Sequence, residues 1–107
     1  MTEGWDAETV FDLFGEPTTR RVLALASDGP VDADGIVESL NVSRPTVYRD
    51  LDELVEYDLL AEREHVDEVG NRYQTYVATL QSVTFSVDDG QIHVDLELAR
   101  EPGNGAG

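Results

Sequence analysis

The sequence predicts an α+β domain, helices first and β-hairpins after, on three observations. Apolar residues recur at helical spacing up to Tyr57. Beyond Tyr57-Asp58 the period shortens, in runs rich in residues that favour strands. An Asp89-Gly90 pair, a favoured hairpin turn, lies at the centre of a strictly alternating stretch.

The elements follow in order. Val10, Phe11, Leu13 and Phe14 share one stripe of a first helix over about Asp6 to Phe14, and Gly15 breaks it. Pro17 suits the first turn of a second helix, where its missing N–H costs nothing, and Val22, Leu23 and Ala26 form its apolar face. Asp28-Gly29-Pro30 stops that helix. A third helix, about Asp32 to Leu40, presents Ile36, Val37 and Leu40. Asn41-Val42 makes a tight turn into a fourth, which Ser43 caps and whose first turn tolerates Pro45. Val47, Leu51, Leu54 and Val55 face the core, so Arg44, Thr46, Tyr48 and Arg49 point outward or sit at its edge.

Leu59–Val66 and Arg72–Thr79 read as two strands joined around Gly70-Asn71. In a second hairpin, VTFSVDDGQIHVDLEL, one register sets Val87 opposite Ile92, Phe85 opposite Val94 and Val83 opposite Leu96. Ser82, Thr84, Ser86, His93, Asp95 and Glu97 then share the wet face. A two-stranded hairpin is marginal alone, so its apolar face is expected against the domain or a second chain. The divisions expected are 1–80 for the main domain, 81–99 for the hairpin extension and 100–107 for a flexible tail.

Charge limits the function classes. The chain has 107 residues, 23 of them Asp or Glu, against seven basic residues that are all arginine, for a net charge of -16. Periodic apolar patterning argues against an acidic disordered chain. An acidic fold without lysine resembles proteins of salt-accumulating halophilic archaea, in whose molar salt the Debye length is about 3 Å and self-repulsion is screened. The absence of cysteine excludes disulfide frameworks and thiolate metal sites. No apolar run approaches the roughly 20 residues that span a bilayer, and MTEGWDAET lacks the order of a signal peptide, so a cytoplasmic protein with no membrane association is expected.

Four helices, the last pair joined by a tight turn, followed by a β-hairpin wing make a winged helix-turn-helix. The stretch FGEPTTRRVLALASDGPVDADGIVESLNVSRPTVYRDLDELVEYDLL resembles the DNA-binding core of ArsR-type and related MarR- or TrmB-like archaeal transcriptional regulators. The resemblance covers about Val10 to Thr79 and is strongest over SRPTVYRDLDELVEYDLL. It implies a homodimer on double-stranded DNA, with the recognition helix, about 43–57, in the major groove. It also implies that Ser43, Arg44, Pro45, Thr46, Tyr48 and Arg49 stand at the front of that helix.

The residue types fit such a task. Arg44 is long enough for guanine O6 and N7, a pairing that gives roughly 1–3 kcal/mol of discrimination. Arg49 is better placed for a phosphate, Thr46 for a thymine methyl or a phosphate, and Tyr48 for the backbone. The capped helix start also offers N–H groups to phosphate. A lone exposed arginine is ordinarily a solvated charge or half of a weak ion pair; the DNA reading comes from four such residues on one helix start. Arg63 and Arg72 either flank a phosphate or pair across the strands with Glu62 or Glu64. Asp50, Asp52 and Glu53 oppose DNA, because binding ordinarily gains from cations that release counterions. Potassium ions between these carboxylates and DNA are the expected resolution. The alternative is a winged-helix interaction module within a transcription or replication complex, not itself binding DNA.

Enzymatic function has little support. His65 and His93 fall in no metal-ligand spacing, no glycine-rich phosphate loop follows a strand, and no serine stands in a nucleophile elbow. No cofactor or metal is expected. Trp5, Phe11 and Phe14 are read as core or dimer contacts rather than a ligand pocket, with the first helix and the second hairpin's apolar face at the dimer interface.

Overall fold

The computed structural model describes residues 6–99, so Trp5 and the expected tail at 100–107 lie outside the described residues. Within them the chain is α+β, with four helices and two small antiparallel sheets. The order is α1 (Ala7–Phe14), α2 (Pro17–Ser27), β1 (Val31–Asp32), α3 (Ala33–Leu40), α4 (Arg44–Glu56), β2 (Leu60–Val66), β3 (Arg72–Ala78), β4 (Leu80–Asp88) and β5 (Gln91–Leu98). The sheets are ordered β1-β3-β2 and β4-β5. No helix among the described residues is long and apolar enough to cross a membrane.

Side chains set the helix starts. The Asp6 carboxylate accepts the Thr9 N–H at 2.8 Å, and Asp32 accepts that of Gly35 at 2.8 Å. Ser43 caps α4 by accepting the Thr46 N–H. Each cap satisfies an N–H with no partner inside its helix and stabilises by about 1 kcal/mol. Asn41 ends α3 in the left-handed region, φ 57° and ψ 44°, with its N–H returned to the Val37 carbonyl. That turn leaves only Val42 and Ser43 before α4.

One strand departs from the expected order. Val31–Asp32, inside what reads as a stop signal and helix start, pairs with the outer edge of β3, Val31 opposite Tyr76 and Asp32 opposite Thr75. Two residues are too few to display a period, so only the partner strand defines them.

The core lies where the helices meet the base of the first sheet. Val22, Ile36, Val47, Leu51, Leu54 and Leu59 are fully buried, joined by Leu13, Leu60 and Tyr76. Burial of each large aliphatic side chain contributes about 1.5–3 kcal/mol. Phe11 departs from its expected stripe: it remains 39% exposed, with its ring stacked on Phe85 of β4.

Thr79 joins the two sheets. Its N–H and that of Leu80 both donate to the Leu59 carbonyl, its hydroxyl donates to the Asp58 carbonyl at 2.7 Å, and its own carbonyl accepts from Ala99. The second hairpin then takes the expected register, with Asp89 and Gly90 at φ 50° and 74° in the turn. A bulge between Leu80 and Ser82 shifts the base of the hairpin, and Leu80, Leu96 and Leu98 pack against the core.

Candidate nucleic-acid interface

The first turns of α4 carry six of the residues singled out in the sequence. At about 100° per residue, burial of Val47, Leu51 and Leu54 turns Pro45, Arg49, Asp52 and Glu56 to the opposite, exposed midline. Arg44 and Tyr48, four residues apart, lie on one flank. Thr46 and Asp50, both half-buried, lie on the other. The outward ridge is therefore cationic only at its beginning and acidic from Asp52 onward.

On the first flank the Arg44 guanidinium donates to the carboxylate of Asp34 on α3. This bond and the Asp34 charge raise the Arg44 pKa further, and the Tyr48 hydroxyl adds to the effect. Below the pair, a groove of about 400 Å³ runs between α3, α4 and the first sheet, lined by Asp34, Tyr48, Glu64, Arg72, Tyr73 and Tyr76. Arg72 and Glu64 approach to 3.6 Å across the strands. The Tyr76 hydroxyl lies 3.3 Å from both Glu62 and Gln74, and burial, with the Glu62 charge second, pushes its pKa up to about 12.

The second flank borders a groove of about 420 Å³ lined by Asp12, Glu16, Thr46, Arg49, Asp50 and Glu53. Burial raises the Asp50 pKa and Glu16 adds to the rise, while Arg49 opposes it. The Ser43 hydroxyl also donates to Thr46 Oγ1 at 2.9 Å, so the capping serine is engaged within its own turn.

The two wing arginines, Arg63 and Arg72, stand on different faces of the first sheet. Register sets Arg63 opposite Thr75 and Arg72 opposite Val66. Thr75 lies three positions beyond Arg72 along β3, an odd step, so the two arginines project from opposite faces of the sheet. Arg72 takes the other expected course, pairing with Glu64. Arg63 is half-buried on the face shared with His65, whose ring stacks on Tyr73 and whose Nε2 lies 2.8 Å from the Thr75 hydroxyl. At the turn, the Asp67 carboxylate accepts the N–H groups of Asn71 and Val69, which lowers its pKa, Asn71 contributing most.

The partner of Arg44, Asp34, was not anticipated from the sequence, whereas Glu64 was among the expected partners of Arg72. Asp34 stands ten residues before Arg44, and no local period links them. Among the described residues no group of three or more His, Asp or Glu side chains is arranged to hold a metal ion. No protein-family model and no curated protein matches the chain.

Proposed function

We propose that the chain is a winged helix-turn-helix transcriptional regulator that binds double-stranded DNA as a homodimer, with α4 entering the major groove. The observation that carries this reading is the start of α4. A left-handed turn at Asn41 delivers it, Ser43 caps it, and Arg44, Pro45, Tyr48 and Arg49 stand exposed on it. Support also comes from the order α2–β1–α3–α4–β2–β3 with β1 on the outer edge of β3, in which, on this reading, β2–β3 serves as the wing.

Recognition on this reading exchanges partners. Arg44 leaves Asp34 for a guanine edge, Arg49 meets a phosphate, and the free N–H groups of the helix start meet another. Asp52 and Glu56 follow on the same ridge, so potassium ions lie between them and the DNA, and the usual loss of affinity with salt is reduced or reversed. Selection from random duplex DNA in multimolar KCl tests the reading. Recovery of a palindrome with half-sites one helical turn apart, about 34 Å, supports it, and recovery of no sequence rejects it.

The pairing of both Arg44 and Arg72 with carboxylates favours a second reading, an interaction module whose acidic face docks a basic protein. Replacing Arg44 and Arg49 together with alanine separates the two. DNA recognition requires lost binding with fold and dimer intact, whereas docking through carboxylates leaves partner affinity unchanged.

A further inference from the structure

The groove of about 400 Å³ between α3, α4 and the first sheet carries an unbalanced set of charges. Asp32, Asp34 and Glu64 stand on its walls, and Glu62 lies 3.3 Å from the Tyr76 hydroxyl. Against these four carboxylates the chain sets two guanidiniums, Arg44 on Asp34 and Arg72 on Glu64, so two negative charges are left over. The nearly buried Tyr76 phenol responds to that excess: after burial, the Glu62 charge is the largest cause of its raised pKa. Tyr48, 45% exposed, adds an aromatic ring to the lining, and Gln74 adds an amide.

We infer that this groove binds a linear aliphatic diammonium ion, with one ammonium group at Asp34, the other at Glu64 and the methylene stem along the Tyr48 ring. The excess of negative charge disfavours an anion, and the layout of that charge selects among cations. The carboxylates do not converge, because among the described residues no three acidic or histidine side chains are grouped to hold a metal ion. Asp34 stands on α3 and Glu64 on β2, two elements that line one cavity. A small single ion therefore meets one carboxylate at a time, whereas two charges on one stem meet both.

The remaining chemistry agrees. A carboxylate offers about four lone-pair sites, so Asp34 and Glu64 keep acceptor capacity beside their arginines, and an ammonium brings three donors to meet it. A tyrosine ring attracts the cation, and the stem covers ring surface as the stem of a lysine does. The groove lies within the roughly 300–1,000 Å³ of small-ligand sites. Both arginine pairs are more than half exposed and so are weak, which lets an ammonium compete with them. If α4 reads DNA, an ammonium at Asp34 frees Arg44 for a base. Binding of the diammonium ion does not rest on that reading, and its test contains no DNA.

Putrescine is the probe, titrated into the full chain at one KCl concentration at which circular dichroism shows it folded, and followed by amide resonances. We expect saturable shifts centred on Asp34, Tyr48, Glu64 and Gln74, with affinity about fivefold above that of n-butylamine, the effect of one further exposed ion pair. Asp34→Asn with Glu64→Gln removes that advantage while circular dichroism stays unchanged, since both residues are exposed. The charge-matched control Glu38→Gln with Asp95→Asn, two exposed residues that do not line the groove, keeps it. Equal affinities of n-butylamine and putrescine overturn the inference and leave the groove to a single lysine side chain of a protein partner. The absence of saturable shifts, or equal losses in the two double variants, also overturns it and reduces the effect to counterions gathered around a chain of charge -16.

Discussion

The Arg44 guanidinium, in the first turn of α4, is bonded to the Asp34 carboxylate in the first turn of α3, so the cation proposed above to read a base is already paired within its own chain. Both side chains are more than half exposed, and a pair of this kind is weak and screened by salt. Asp34→Asn therefore leaves the unfolding midpoint unchanged. On the proposed reading it strengthens DNA binding a few-fold in dilute KCl, and the gain shrinks in molar KCl. Fluorescence anisotropy with the selected duplex measures both; equal affinities of wild type and variant in dilute salt would remove Arg44 from the interface.

Tyr76 makes stability depend on alkaline pH. Its folded pKa of about 12 exceeds the ordinary value of 10, because burial and then the Glu62 charge favour the neutral phenol. The unfolded chain gives up this proton first as pH rises. The contribution is thus complete below pH 10 and is lost as pH climbs through about 12. Phenolate absorbance should show one of the four tyrosines titrating late. Glu62→Gln should bring that step to lower pH.

Asp67 makes the turn between β2 and β3 sensitive to acid. Its folded pKa is lowered by the N–H groups it accepts, foremost that of Asn71. The unfolded carboxyl takes up its proton near the ordinary value of about 3.9, and the folded one at lower pH. The contribution is therefore present above that value and lost as pH falls through the lowered folded pKa. Amide resonances of Val69 and Asn71 should shift together in this acid range while those of Leu51 and Leu54 hold. Asp67→Asn should abolish the step.

Leu51 reports on the packing beneath the exposed ridge of α4. The side chain is fully buried, and Leu51→Ala should cost about 2–5 kcal/mol through lost transfer energy and an unfilled cavity. Urea unfolding in molar KCl measures it. DNA affinity per folded molecule should change little, because Leu51 faces away from the ridge.

Gly90 isolates a backbone effect. It sits at φ 74° with open space around the position a Cβ would take, so Gly90→Ala meets no steric neighbour. The left-handed conformation alone should cost about 1–2 kcal/mol. The loss should appear as faster amide exchange across β4 and β5, with the helices unaffected.

Most of the secondary structure is legible without coordinates because its causes are local. Capping side chains at Asp32 and Ser43, prolines at first turns and the apolar period of α4 act within a few residues of one another. The Asp89-Gly90 turn chooses the register of the second hairpin together with alternation on both sides. The candidate site is legible only as a helix start. What Arg44 touches depends on Asp34 of the preceding helix, which no period along α4 contains.

The sequence by itself determined the inward stripe of α4, where the helices begin, how β4 meets β5 and how acidic the chain is, since each follows from neighbours along the chain. Tertiary structure decided the rest. It added β1 to the edge of β3, set Phe11 on Phe85, put Arg63 and Arg72 on opposite faces, and joined Arg44 to Asp34. The physical reason is that packing of separate elements, and the register of β2 on β3, choose these neighbours, while apolar period along the chain does not record them.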